Sequence, residues 1–172
     1  MKALCLVAHP DDCVIFAYSY IYNHRHYDWL IAYLTYTAQT ARGREISEFW
    51  ARRGIATKFL GHVDDYHDLE THQCSFDTDL AQQQIAVLAA QYDLVLTHDR
   101  HGDYGHLHHK FVHDCVITHH NMVTFAALDS GNQSFSVPAG TYDLAELPLH
   151  ADIVQTFFPQ GQHRNNYLEV SR

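Results

Sequence analysis

The stretch KALCLVAHPDDCVI (2–15) decides the predicted fold, because an apolar run ends directly before the polar residues HPDD (9–12). A short apolar run of this kind predicts a buried strand over residues 2–9. Residues 11–24 then carry apolar side chains at helical spacing, with two carboxylates in the first turn, where the helix dipole favours negative charge. This turn lacks the glycines of a G-x-G-x-x-G motif and its carboxylates would repel phosphate, so no nicotinamide or flavin role is expected.

Strand and helix patterns alternate along the rest of the chain. Strands are predicted at 2–9, 29–37, 56–61, 92–98 and 122–128, and helices at 11–24, 41–53, 77–91 and 106–119, with a shorter helix near 149–157. The alternation predicts a Rossmann-like α/β fold of three layers with a mostly parallel sheet. With right-handed crossovers, and with the fourth strand returning beside the first, the strand order is 3-2-1-4-5. The length of 172 residues predicts a single domain over residues 1–172.

The composition argues against several classes of partner. Apolar residues make up 47% and charged residues 18%, which favours a folded core. A net charge of −9 argues against nucleic acid, which calls for a basic surface. The N-terminal apolar run is too short for a signal peptide or a membrane span, so no membrane partner is expected. Four cysteines without C-x-x-C spacing indicate reduced thiols and a cytoplasmic protein.

Two polar motifs follow the first and fourth predicted strands. The first is HPDD (9–12), and the second lies in a histidine-rich stretch, 98–119, which holds seven of the 16 histidines. In a doubly wound sheet, ligands bind at the carboxyl ends of the strands where the strand order reverses. Residues nearly 100 positions apart are therefore expected to meet in one crevice.

The residue types at this crevice indicate a metal site. Two imidazoles and a carboxylate, from His9, Asp12 and His109, suit a catalytic zinc ion, which takes three protein ligands and a water. Iron(II) would accept the same ligands. His106 lies three residues before His109, on the same helix face. Asp11 is then free to accept a proton from water. As the alternative, the aspartates are only helix-start residues and the histidines only a solvated helix face.

These motifs resemble those of the zinc-dependent de-N-acetylases of the LmbE/PIG-L type. The resemblance extends from Met1 to about His120. Besides HPDD, it includes GHLHH (105–109), RGREI (42–46) and FLGHVDD (59–65). It implies a hydrolase that removes an acetyl group from an N-acetylated amino sugar of the GlcNAc type, a small-molecule substrate.

The resemblance also implies roles for particular residues. It makes His9, Asp12 and His109 the zinc ligands and Asp11 the general base. It gives His106 the role of stabilising the oxyanion or protonating the leaving group. Two weaker motif matches, at Arg42 and Asp64, imply that these residues contact sugar hydroxyls.

The sequence departs from the family pattern at two places. Cys13 stands where the family usually has glutamate, and we expect a small buried residue there, although an approach to the metal is the alternative. Leu107 and His108 stand where the family often has Pro-Asp, which removes an acidic residue that would help orient a metal-binding histidine.

The sequence leaves open the roles of several other residues and two alternative functions. Asp103 is expected either to line the pocket or to serve the turn beside Gly102. We expect surface positions for His150 and His163. Two alternatives to the sugar deacetylase are a metal-dependent amidase acting on another acylated amine and a metal- or sugar-binding homologue without catalysis. The retained Asp11 argues against the inactive homologue, because a binding site needs no spare carboxylate.

Overall fold

The computed structural model describes residues 1–65, 74–126, 133–137, 141, 143–157 and 164–171. Its strands are β1 (Lys2–Val7), β2 (Asp28–Thr35), β3 (Ala56–His62), β4 (Leu94–Thr97), β5 (Asn121–Ala126), β6 (Gln133–Ser136) and β7 (Arg164–Ser171). Its α-helices are α1 (Tyr18–Asn23), α2 (Ala41–Ala51), α3 (Thr78–Ala89), α4 (Leu107–Val116) and α5 (Ala151–Phe157). The first five strands alternate with helices as the sequence predicts.

The strands form one sheet with the order β3-β2-β1-β4-β5-β7-β6. The first five strands of this order are parallel, which confirms the predicted order 3-2-1-4-5. β1 lies between β2 and β4, where Cys5 pairs with Ile31 on one side and with Leu96 on the other. The strand order reverses between β1 and β4, so the loops that follow these two strands meet at one edge of the sheet.

Helices pack on both faces of the sheet and give two buried cores. On one face, Ile46, Phe49 and Trp50 of α2 pack with residues of α1 and α5. On the other face, Ile85 and Leu88 of α3 pack with α4. These two cores confirm the predicted three-layer α/β architecture.

Several element boundaries differ from the prediction near the crevice. β1 ends at Val7 and β4 at Thr97, so His9 and His98 lie in the loops beyond the strands. Strand pairing stops there because the Ala8 amide donates to a side chain, His98 Nε2, at 3.0 Å and not to a neighbouring strand. The first helix also begins with a π-helical turn, Cys13–Ala17, before it continues as α1.

The sequence did not predict the last two strands of the sheet. β7 pairs antiparallel with both β5 and β6, and it covers what would otherwise be an exposed sheet edge. Tyr167 fixes β7 against α1, because its buried hydroxyl donates to the Phe16 carbonyl at 2.7 Å and bonds Ser19 Oγ at 2.7 Å. This anchoring is tertiary, so the polar sequence of β7 gives little sign of it. Within the described ranges, no helix has the length and hydrophobicity needed to cross a membrane.

Candidate metal centre

Loops after four parallel strands bring polar side chains to one edge of the sheet. The residues that they contribute are His9, Asp11 and Asp12 after β1, Arg42 at the start of α2 after β2, Asp64 after β3, and His98, Asp103, His106 and His109 after β4. All seven sequence-predicted site residues are in this set. The convergence follows from parallel pairing, because the carboxyl ends of parallel strands lie at the same edge.

Three of these side chains form a nearly equilateral triangle of donor atoms. His9 Nδ1 lies 3.2 Å from Asp12 Oδ2, His109 Nε2 lies 3.3 Å from the same oxygen, and the two nitrogens are 3.3 Å apart. Atoms about 2.0–2.1 Å from a tetrahedral ion lie about 3.3–3.4 Å from one another. The donor types and the spacing both fit a divalent cation such as zinc.

The loop between β1 and the first helix holds this triangle in place. The His9 amide donates to Asp12 Oδ2 at 2.7 Å, which fixes the carboxylate against its own loop. Asp12 is buried, and burial by itself disfavours its charge. The adjacent His109 and His9 nevertheless hold the pKa of Asp12 well below its usual range. Asp12 is therefore an anionic donor in a nearly dry environment.

Asp103 orients the two histidines behind the triangle. Its Oδ2 accepts hydrogen bonds from His109 Nδ1 at 2.7 Å and from His98 Nδ1 at 2.5 Å. This pairing directs the Nε2 lone pair of His109 toward Asp12 and His9. The Nε2 lone pair of His98 is already used by the Ala8 amide, which excludes His98 as a ligand in this arrangement.

Sequence reasoning did not identify this orienting role of Asp103. The residue adopts a positive φ of 62°, next to Gly102 at 73°. A Cβ on Gly102 would lie 2.5 Å from the His106 carbonyl oxygen, so only glycine fits. An acidic residue in a glycine-rich loop directly before the second histidine motif was the available signal. Asp103 supplies the carboxylate that the sequence lacks at position 108.

Asp11 lies beside the triangle and is bound by an arginine. Arg42 Nη2 donates to Asp11 Oδ1 at 2.9 Å, and Arg42 Nη1 donates to Tyr36 Oη at 3.1 Å. Burial, followed by the charge of Asp12, raises the pKa of Asp11, while Arg42 acts in the opposite direction. The structure thus places a buried carboxyl with an elevated pKa next to the three donor atoms.

His106 is the N-cap of α4 and lies against the rings of the triangle. Its Nδ1 accepts a hydrogen bond from the His108 amide at 3.2 Å, so the ring proton belongs on Nε2. Burial and the neighbouring histidines, first among them His109, lower the pKa of His106 to about 3. The ring is 4.6 Å from that of His9 and 4.4 Å from that of His109, between centroids. His106 is therefore a neutral N–H donor at the site.

Asp64 approaches His9 from the side opposite to Asp12. Its Oδ1 lies 3.3 Å from His9 Nε2, and it is also hydrogen-bonded to Tyr36. The bond from His9 lowers the pKa of Asp64 to about 2. Both residues predicted to contact substrate thus also reach this site: Asp64 contacts His9 of the triangle, and Arg42 contacts Asp11 beside it.

Two further residues singled out in the sequence are buried and bond to other partners. Cys13 is buried in the core, where Trp50 Nε1 donates to its Sγ at 3.1 Å and Tyr33 Oη lies 3.2 Å away. This packing agrees with the expected small buried residue. The expected surface position of His150 is wrong, because its ring is fully buried and lies 2.8 Å from Glu45 Oε1. His163 lies outside the described residues.

Fold and site together define a class, that of doubly wound α/β proteins with a buried donor set for one divalent cation. The family model for PIG-L, GlcNAc-PI de-N-acetylase, matches residues 4–120. The chain belongs to this family, and it is an N-deacetylase, a hydrolase that acts on an amide C–N bond. No curated protein matches the sequence.

Solved structures with the same fold include other deacetylases and a hydratase. A zinc-inhibited form of the teicoplanin deacetylase Orf2 has a TM-score of 0.60 at 11% identity, with 99% of each chain covered. An N,N'-diacetylchitobiose deacetylase from Pyrococcus horikoshii, complexed with an inhibitor, has a TM-score of 0.58 at 15% identity, covering 98% of this chain and 83% of that one.

The hydratase is GalB, the 4-carboxy-2-hydroxymuconate hydratase from Pseudomonas putida KT2440. Its TM-score is 0.61 at 12% identity, with 100% of this chain and 97% of that chain covered. At such identities the likeness shows the fold alone. Because a hydratase shares the fold, the reaction is assigned from the family and the site, not from the architecture.

Proposed function

We propose that the chain is a zinc-dependent hydrolase that removes the N-acetyl group from an amino sugar in a GlcNAc-type conjugate. Its family makes it a metal-dependent deacetylase of N-acetylated sugars. The observation that carries the proposal is the donor triangle of His9, Asp12 and His109, with edges of 3.2–3.3 Å and the carboxyl of Asp11 beside it.

His9 Nδ1, Asp12 Oδ2 and His109 Nε2 would hold the cation, with Asp103 behind His109. Zinc suits these donors, and iron(II) is the alternative. When bound, the ion lowers the pKa of water and polarises the acetyl carbonyl. The four cysteines, Cys5, Cys13, Cys74 and Cys115, are free. They fit the proposed cytoplasmic location of one domain spanning residues 1–172.

Asp11 serves as general base in this proposal. Its buried carboxyl has a raised pKa, which strengthens it as a proton acceptor for water and lets it return that proton to the leaving amine. The hydrogen bond from Arg42 fixes one carboxylate oxygen and leaves the other for the reaction. Arg42 is thereby a positioning residue, in addition to the predicted contact with a sugar hydroxyl.

His106 stabilises the oxyanion that forms when the acetyl carbonyl is attacked. Its Nδ1 accepts from the His108 amide, so the ring proton lies on Nε2, and this Nε2–H is the group proposed to donate to the oxyanion. A fixed donor in a buried site stabilises developing charge more strongly than water does. Asp64, exposed at the rim, is proposed to accept a hydrogen bond from a sugar hydroxyl.

Acetate release from a panel of amides tests the substrate class. The purified protein, stripped of metal with a chelator and reloaded with zinc or iron(II), is given N-acetylglucosamine conjugates and acylated amines that contain no sugar. We expect acetate from the sugar conjugates, loss of turnover after chelation and recovery with zinc. Reaction of only the non-sugar amides would favour the alternative amidase, and a metal-loaded protein that cleaves none of them would favour the inactive homologue.

A further inference from the structure

His9 presents its second ring nitrogen to a second group of donor atoms. Its Nε2 lies 3.2 Å from His108 Nδ1 and 3.3 Å from Asp64 Oδ1. The remaining edge, between His108 Nδ1 and Asp64 Oδ1, is 3.8 Å. Two edges match the spacing of about 3.3–3.4 Å around a tetrahedral ion, and the third needs a shift of only a few tenths of an ångström.

We propose that His9 Nε2, His108 Nδ1 and Asp64 Oδ1 form a second divalent-cation site, which fills when zinc is in excess. Two imidazole nitrogens and one carboxylate oxygen are the donors that zinc prefers. One ligand atom from each of these three residues lies within 4.8 Å of the other two. None of the three atoms belongs to the first triangle, so both sites can exist together.

The imidazole that completes this second triangle comes from a position where the chain departs from its family pattern. His108 is 1% exposed, its amide donates to His106 Nδ1, and its ring packs 5.4 Å from that of Phe76. These contacts hold the ring with its Nδ1 3.2 Å from His9 Nε2. The exposed Asp64 opens the site to solvent on one side, so an ion can enter and exchange.

Sharing of the His9 ring makes the second site the weaker one. Binding there releases the proton of His9 Nε2 to solvent, and cations on both ring nitrogens repel each other. The second ion would also take up Asp64, which the proposed function assigns to the substrate. Excess zinc is therefore expected to inhibit deacetylation, a consequence that rests on the proposed function, whereas binding itself does not.

Metal counting tests the second site without any assay of activity. Stripped protein is dialysed against increasing zinc, and bound metal per chain is measured by elemental analysis; cobalt(II) spectra report the geometry of each ion. Variants are His108→Leu, the milder His108→Gln and Asp64→Asn, with His101→Leu as the matched control, because His101 is an exposed histidine of the preceding loop.

We expect two ions in the wild type and in His101→Leu, the second bound more weakly, and a single ion in the other three variants. Zinc inhibition should then require roughly 10-fold more metal in His108→Leu.

A wild type that never exceeds one ion, a His108→Leu protein that keeps two, or loss of both ions in both position-108 variants would each overturn the site. Two ions without inhibition would overturn its regulatory role alone. Absence of any deacetylation would count against the proposed function and leave the metal count as it stands.

Discussion

Two fully buried histidines, His109 and His150, have the same carboxylate pairing and different surroundings. His109 Nδ1 bonds Asp103 at 2.7 Å, and His150 Nδ1 bonds Glu45 at 2.8 Å. The Nε2 of His109 meets two more donor atoms at 3.3 Å, while that of His150 has no hydrogen-bond partner in the described part of the chain. Burial and a carboxylate orient an imidazole, but only convergence with other donors makes a cation site.

The difference follows from where each histidine sits in the fold. His109 lies on α4, which starts at the carboxyl edge of the sheet, where the loops after β1 and β3 also end. His150 lies in the turn before α5 and pairs with Glu45 of α2, which also accepts the Leu149 amide at 3.0 Å. This second pair therefore docks the C-terminal segment onto α2.

The largest expected effect comes from Asp11→Asn, which removes the proposed general base beside the donor triangle. Turnover should fall about 10²–10⁴-fold, because an amide cannot take the proton from water. The tightly bound ion should stay, since Asp11 is not in the donor triangle. Steady-state acetate release and metal analysis measure the two quantities. Asp79→Asn, on α3 away from the site, is the control, and undiminished turnover of Asp11→Asn would rule out this base.

Asp103→Asn removes the carboxylate that orients His109 and His98 behind the donor triangle. The amide cannot accept from both His109 and His98, so affinity for the tight ion should fall about 10–100-fold. Competition with a chromophoric chelator measures this affinity. Turnover should recover largely at saturating zinc, because the ligands themselves are intact. An unchanged affinity would show that Asp103 serves only the turn.

Glu45→Gln makes the matching change at the carboxylate that pairs with His150. It weakens the bonds to His150 and to the Leu149 amide, so we expect a loss of about 1–3 kcal/mol in the free energy of unfolding. Metal affinity should stay as in the wild type. Urea unfolding and the same chelator competition provide the two measurements. If Glu45→Gln lost metal as strongly as Asp103→Asn, the distinction between the two histidines would fail.

Much of the fold was predictable because local patterns and parallel pairing specify it. The apolar runs before His9 and His98 and the alternating helices indicated a doubly wound sheet, and its order places their loops together. The polar strand β7 was missed because Tyr167 fixes it through contacts with α1, which is distant in sequence. The surface position expected for His150 failed for the same reason, since its partner lies 105 residues away.

The sequence by itself determined the chemistry of the donors, because HPDD and GHLHH supply imidazoles and carboxylates that suit zinc at the ends of two neighbouring strands. Only the tertiary structure decided which nitrogen of each ring faces which oxygen. It made Asp103 the partner of His109, and it gave His9 a second set of neighbours in Asp64 and His108. Such choices depend on distances of 3–4 Å between loops far apart in the chain, which no local pattern encodes.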